Sequence, residues 1–173
     1  MPREKSAATP ILDGYGGFHA EKSLEGVGTA MFAFHYHSRC ELVLVTKGHS
    51  EIMTYDRRIK MDGAFVVCYP SGMLHMQKND AALPYERYFV QFPVGILDDL
   101  PGQKEYSELI SEFFAINVDD ETLRMITPWF AALAGSLGNR DDIRIENRRR
   151  FLIGLILNEL SPFIRSARSV QLT

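Results

Sequence analysis

The chain changes its hydrophobic period once, near Leu97. Before that point apolar residues come in short blocks or alternate with polar ones, at the two-residue period of β-strands. Beyond it they return about every 3.6 residues, which gives a helix one apolar face. The expected strands are Gly17-Phe18-His19-Ala20, Thr29 to Tyr36, Cys40 to Thr46, Ser50 to Tyr55, Arg58 to Met61, Ala64 to Tyr69 and Tyr85 to Phe92. Asp56-Arg57 turns a hairpin, a polar loop Lys78-Asn79-Asp80-Ala81-Ala82 follows His75, and Pro93-Val94-Gly95 closes the strand region. Ahead of all this, Met1 to Thr9 mixes charge, small residues and proline like a lightly attached arm, and glycines punctuate Ile11 to Gly28.

In the second part, Tyr106, Leu109, Ile110, Phe113 and Phe114 share one helical face, with Glu105, Glu108 and Glu112 on the other. Asp119 and Asp120 suit the start of a second helix. Leu123, Ile126, Phe130, Leu133 and Leu137 stay in phase through Pro128, where the helix kinks or a new one starts, and Gly138-Asn139 ends it. A last helix begins near Asp141 or Asp142 and carries Phe151, Leu152, Ile153, Leu155, Ile156, Leu157, Leu160, Phe163 and Ile164. That apolar surface is broader than one packing partner uses, which predicts a homodimer through the final helix.

Composition narrows the classes. With 173 residues, 46% hydrophobic and 24% charged, the chain can bury one substantial core with a helical appendage. A net charge of -3 argues against a surface built to neutralise phosphates, so this stretch is not expected to bind DNA strongly by itself. The two cysteines, Cys40 and Cys68, form no disulfide framework, no signal peptide is apparent and no apolar run is long enough to span a membrane. A soluble protein of the cytoplasm is expected.

Two blocks carry the candidate chemistry. Gly28, six residues, His35-x-His37, three residues, Glu41, six residues and Gly48 make the first; Gly63, six residues, Pro70-x-Gly72, two residues, His75, three residues and Asn79 make the second. On a strand His35 and His37 project to one side while Tyr36 points away, and Glu41, Val43 and Val45 keep that parity. Pro70-Ser71-Gly72 turns the chain so that His75 faces back inward. Three imidazoles and a carboxylate suit Fe, Mn, Ni, Co or Zn; a polar pocket lining without metal is the other reading of the same four residues. Cys68 sits in an apolar strand and reads as core, His19 as an ordinary surface or sheet histidine, and His49 as solvated. Arg148-Arg149-Arg150 fans around a helix as a solvated or salt-bridged face.

The paired blocks resemble the motifs of the cupin superfamily, and each has one residue more than that family's usual spacing, before His35 and before Pro70. The resemblance implies a double-sheet jelly roll. A barrel followed by a mostly helical tail is further similar to the N-terminal sensing and dimerisation domain of AraC-type transcription regulators. The stretches His35 to Val45, Gly63 to Pro70 and Tyr85 to Phe92 carry the likeness, which covers roughly residues 17 to 165.

What the resemblance implies is a mainly β chain with an α-helical C-terminal part: an arm at 1–16, an effector-binding cupin barrel at 17–97 and about three helices forming a dimerisation region at 98–173. The family's DNA-binding domain is expected to be missing from this chain, either through truncation, the preferred reading, or because the natural protein lacks that half. A small-molecule effector, by default a sugar but otherwise an aromatic or other small metabolite, would bind in the barrel to His35, His37, Glu41, His75 and Tyr88, the first four either holding a divalent ion of Zn, Fe, Mn or Ni or lining a polar pocket without one; Tyr36 and Tyr88 line this pocket or sit on the opposite barrel face. Such a domain is not an enzyme. The alternative is a small metal-dependent cupin oxygenase or isomerase, which would need acid or base groups beyond the ligand set, and few are evident.

Overall fold

The structure is a computed structural model that describes residues 18–25, 33–136 and 142–170. The expected arm, Gly28, the start of the strand from Thr29, Leu137 and the Gly138-Asn139 stop lie outside those residues. Among the described residues, eight strands form two sheets: β1 (His19–Glu25), β2 (Cys40–Lys47), β3 (His49–Thr54), β4 (Arg58–Asp62), β5 (Phe65–Tyr69), β6 (His75–Asn79), β7 (Tyr85–Phe92) and β8 (Phe114–Asn117). Three helices accompany them: α1 (Gln103–Ile110), α2 (Asp120–Ala134) and α3 (Ile143–Val170). A five-stranded sheet has the order β1-β7-β2-β5-β8 and a three-stranded one the order β4-β3-β6, all neighbours antiparallel. This is the expected jelly roll followed by helices.

Strand β2 lies at the middle of the larger sheet and is buried on both faces. Alternation splits its side chains between two cores. Val43 and Val45 join Ile52, Met61, Phe65, Val67, Tyr69 and Tyr85 between the two sheets. Leu42 and Leu44 face the helices with Val66, Tyr88, Val90, Phe92, Ile126, Phe130 and Ile156. Glu41 has the parity of Val43, so its carboxylate belongs to the space between the sheets.

The register levels this inward face. His19, Gln91, Glu41 and Tyr69 are aligned across β1, β7, β2 and β5, and the next level down is Glu21, Phe89, Val43, Val67 and Ala115. Across the gap, β6 turns His75, Gln77 and Asn79 inward, and all three are buried. Gln77 ties this floor to the walls, accepting from the Tyr69 hydroxyl at 3.2 Å and donating to the Tyr85 hydroxyl at 2.5 Å and to Ser50 Oγ at 3.2 Å.

Three expectations about elements need correction. The polar stretch from Lys78 is not all loop: Lys78 and Asn79 finish β6, because their backbone groups pair with Glu51 and Ser50. Phe113 and Phe114 do not continue the first helix. That helix ends at Ile110, and Phe114 to Asn117 instead extend the larger sheet beside β5. Of the strand expected to reach Tyr36, the described part makes only an isolated bridge between His35 and His75.

The helices follow from local chemistry. Asp119 caps α2, its side chain accepting from the Thr122 amide at 2.8 Å, and Asp120 and Glu121 complement the positive end of the helix. The helix passes through Pro128 without ending; Pro128 lacks an amide hydrogen, and it lies with Arg124 on the exposed side, where water can serve the freed carbonyl. Helix α3 buries Ile153, Ile156, Leu157, Leu160 and Ile164 against the sheet and its neighbours. A Cβ at Gly154 would meet Leu100 at 3.2 Å, so glycine lets the segment before α1 lie close on α3. Phe151, Leu155 and Ile143 remain exposed. The broad apolar surface foreseen on this helix is therefore mostly core, with a narrower stripe turned outward.

Candidate metal centre

Two pieces of irregular chain bring the three histidines together. The segment through His35 and His37 is stitched to the turn before β6: the His35 amide donates to the His75 carbonyl at 3.0 Å and the reverse bond is 2.9 Å. Next to it the Gly72 amide donates to the His37 carbonyl at 2.8 Å, and Ser71 Oγ to the Ser38 carbonyl at 2.6 Å. Gly72 has a φ of 77°, a left-handed conformation open to glycine, and this turn delivers His75 to the start of β6. Glu41 arrives from the other sheet, one residue into β2.

One ligand atom from each of His35, His37, Glu41 and His75 lies within 4.8 Å of the others. Ligands of a single ion with bonds of about 2.1 Å stand roughly 3–4 Å apart, so the four already approach that spread. His37, Glu41 and His75 are buried and His35 is half-buried at the edge. Each imidazole is oriented by its other nitrogen. Nδ1 of His35 meets the Ala33 carbonyl at 3.1 Å, Nδ1 of His37 the Arg39 carbonyl at 2.7 Å, and Nδ1 of His75 the Met73 carbonyl at 2.8 Å. A carbonyl only accepts, so all three Nδ1 atoms carry hydrogen; the Nε2 atoms of His35 and His75 are left for another task, while that of His37 meets Glu41 Oε2 at 2.8 Å. Nε2 of His75 is buried without a hydrogen-bond partner. A buried orphan of that kind is costly unless something fills the position, and a metal ion would.

The electrostatics are those of a held carboxylate among imidazoles. Burial alone would push the Glu41 carboxyl up, but the hydrogen bond from His37, the nearby imidazoles and Gln91 bring it from 4.5 down to about 2. Burial pulls His37 down, but its hydrogen bond to Glu41 at 2.8 Å, the charge of that carboxylate and the Arg39 carbonyl together outweigh this, leaving it raised. His75 has no such bond. Burial lowers it from 6.5 to about 4, so at neutral pH it is the uncharged form that a metal requires.

The remaining candidates separate from this group. Tyr88 lies on the helical side of the larger sheet, its ring 6.5 Å from that of Phe130, on the face opposite Glu41. Tyr36 is exposed, as is His49, which bonds Asp62. Cys68 is core: its Sγ is 3.7 Å from that of Cys40, and burial holds its thiol well above the usual range. Of the three arginines, Arg149 is buried against Ser136 and the Phe18 ring, and Arg150 donates to the Asp98 carbonyl. These two anchor α3, while Arg148 is exposed.

Two residues that sequence reasoning passed over belong to the centre. Gln91 Nε2 donates to Glu41 Oε2 at 2.7 Å, and the Tyr69 ring stacks on His75 at 3.9 Å and 12°. Gln91 carried a signal in its parity, since it is a polar residue at an inward position of β7.

No family model matches the chain, and no curated protein matches it. Solved structures do. ToxT from Vibrio cholerae O395, bound to (E)-4-(8-methylnaphthalen-1-yl)but-3-enoic acid, matches 86% of this chain and 58% of its own at a TM-score of 0.53 and 8% identity. The chain shares its fold with ToxT. An unsaturated fatty acid bound form of ToxT from strain SCE256 agrees, at a TM-score of 0.53 and 10% identity over 87% of this chain and 57% of ToxT. This chain thus spans a little under three-fifths of the ToxT chains it matches. A cupin superfamily protein from Desulfitobacterium hafniense matches 46% of this chain and 70% of its own, at a TM-score of 0.40 and 13% identity.

Proposed function

We propose that the chain is the effector-binding domain of an AraC-type transcription regulator, with a divalent transition metal in its barrel as the point of ligand attachment. The observation that carries the metal reading is the set of three imidazoles tied through Nδ1–H to backbone carbonyls, so that three Nε2 atoms and the Glu41 carboxylate converge. His35, His37, Glu41 and His75 would hold the ion, which supplies a Lewis-acidic anchor for an oxygen of the effector. Helices α1 to α3 packed on the outer face of the larger sheet, and the fold in common with ToxT, support the regulator reading.

The walls beside the ligand set favour an effector with an apolar body. Tyr69 and Phe113 stand at the level of Glu41, their rings 6.0 Å apart, and Val43, Val67, Phe89 and Ala115 make the level below. A sugar would ask for more polar groups there. ToxT was solved with an unsaturated fatty acid and with a naphthyl butenoic acid, both organic acids with apolar bodies. A small organic acid, carboxylate toward the metal and body along Phe113 and Phe89, is the effector class we assign. Dimerisation would use the outward stripe of α3, and DNA contact a domain outside this chain. None of the described helices is long and apolar enough to cross a membrane, and a regulator of this type works in the cytoplasm.

A metal-dependent oxygenase or isomerase is the second reading, favoured by the ligand set itself. It lacks an obvious proton donor or acceptor, because burial holds the Tyr69 phenol well above its usual range. The test has two arms. Tag-free protein is assayed by elemental analysis and then titrated with medium-chain organic acids and with sugars, with and without a His35→Ala, His75→Ala double change. Metal near one per chain and metal-dependent binding of acids support the proposal; no uptake of Zn, Fe, Mn or Ni removes the metal from it. The coding sequence beyond Thr173 is then read. About a hundred further residues with two helix-turn-helix patterns support the regulator, and a stop codon favours the enzyme.

A further inference from the structure

Glu41 has a neighbour on each side at its own level of the sheet, Tyr69 on β5 and Gln91 on β7. Its Oε2 accepts two hydrogen bonds, from His37 Nε2 at 2.8 Å and from Gln91 Nε2 at 2.7 Å. A carboxylate only accepts, so the Gln91 amide must face it through its nitrogen. The two bonds have different fates when an ion enters. His37 can ligate only through an Nε2 that has given up its hydrogen, and its bond to Glu41 then disappears. An amide N–H is no ligand, so the Gln91 bond persists. Gln91 is buried at 8% exposure, which leaves little room for water to substitute for it.

We propose that Gln91 is a positioning residue of the metal centre. Its amide fixes the Glu41 carboxylate so that it remains directed toward His35, His37 and His75 after the His37 bond is surrendered, and this sets both the affinity and the coordination of the ion. The proposal rests on the metal reading above. The residue type fits the task. A glutamate at this position would set a second buried carboxylate against the first, and a leucine would leave Oε2 without its lasting partner.

Two variants test it, Gln91→Met, which keeps the volume and loses the donor, and Gln91→Asn, which keeps the amide but withdraws it by one methylene. Zinc affinity is measured by competition with a chromophoric chelator, and the visible spectrum of the cobalt-loaded protein reports the coordination. Both variants should bind zinc about 10–100-fold more weakly than the unaltered protein and show a changed cobalt spectrum. A purely structural role would lower the melting temperature of the metal-free variants and leave affinity and spectrum alone. Affinity within about twofold of the unaltered protein, with an unchanged cobalt spectrum, overturns the proposal while the metal reading stands. Failure of the unaltered protein to take up zinc or cobalt overturns both.

Discussion

Tyr69 lies flat against His75, ring on ring, while its hydroxyl donates to Gln77 on the floor between the sheets. The two contacts can be separated. Tyr69→Phe keeps the stack and leaves the Gln77 carbonyl without its donor, which should cost about 1–3 kcal/mol in urea unfolding and leave zinc affinity unchanged. Tyr69→Leu removes the stack as well. It should cost about 2–4 kcal/mol and weaken zinc binding roughly tenfold, since the plane of His75 loses its support. Equal zinc affinity in both variants would mean that the ring does not orient His75.

Acid should destabilise the metal-free protein in two steps. Folded His75 titrates at about 4 against an ordinary 6.5, so between those values the unfolded chain binds a proton that the folded one does not. Stability falls with pH across that window by a total on the order of 3 kcal/mol. Glu41 acts lower down: its contribution is whole above 4.5 and lost as the pH falls through about 2. His37, raised by its partner, runs the other way, contributing fully below 6.5 and losing that contribution as the pH rises through its folded value. Urea midpoints should decline from neutral pH toward about 4, and His75→Leu should flatten that decline. A slope unaltered by the change would locate the acid sensitivity elsewhere.

Sedimentation can test the proposed dimer contact. Phe151 and Leu155 are exposed on α3, at 56% and 46%, whereas Ile156 is fully buried. Phe151→Glu with Leu155→Glu should give a folded monomer if this stripe is the interface. Ile156→Glu should instead unfold the protein, because it puts a charge among Leu42, Leu44 and their helical neighbours. A dimer that survives the double change excludes the stripe.

The Asp119 cap supplies a local test of the helical region. Asp119→Ala should lower the melting temperature, and Asp119→Asn should restore only part of it, since its amide oxygen can accept from the Thr122 amide but carries no charge. Hydrogen bonds from Thr122 hold the Asp119 carboxyl below its ordinary 3.8. The advantage over alanine should therefore be whole above that value and shrink as the pH falls through the lower folded one. An advantage that persists in strong acid would mean that the carboxylate charge is not what matters.

Most of the cluster was legible as residue types at close spacing, and the turn at Gly72 announces a reversal that can return His75 to the other histidines. Strand parity was not the reason: His35 and His37 lie on irregular chain that bends at Ser38-Arg39 before β2 begins, so Glu41 joins them from a separate element. Tyr88 went astray because its strand is buried on both faces at its C-terminal end, so aromatic residues there give no sign of which face opens on the ligands. Parity marks Gln91 as an inward polar residue, but that it and Tyr69 flank Glu41 depends on cross-strand register, which no single strand encodes. The helix-like spacing through Phe114 misled because Phe113 and Phe114 continue an apolar rhythm from α1, while from Phe114 onward the backbone pairs with β5. Strand β6 was hidden by its polarity. Its inward residues His75, Gln77 and Asn79 face a polar floor, so the alternation of apolar and polar that marks an ordinary half-buried strand is absent.

Strand β2 is a partition one chain thick. On one side it carries Glu41, and on the other Leu42 and Leu44 press on the packing that includes Ile126, Phe130 and Ile156. Interiors at close-packed density do not absorb a shift by compressing; they pass it on. A sideways step of the carboxylate on binding an ion would therefore push on α2 and α3 in the same instant, with no hinge or loop between. Mechanically, the strand would act as a diaphragm: pressure applied between the sheets would be read on the helices, and a load on the helices would be felt at Glu41.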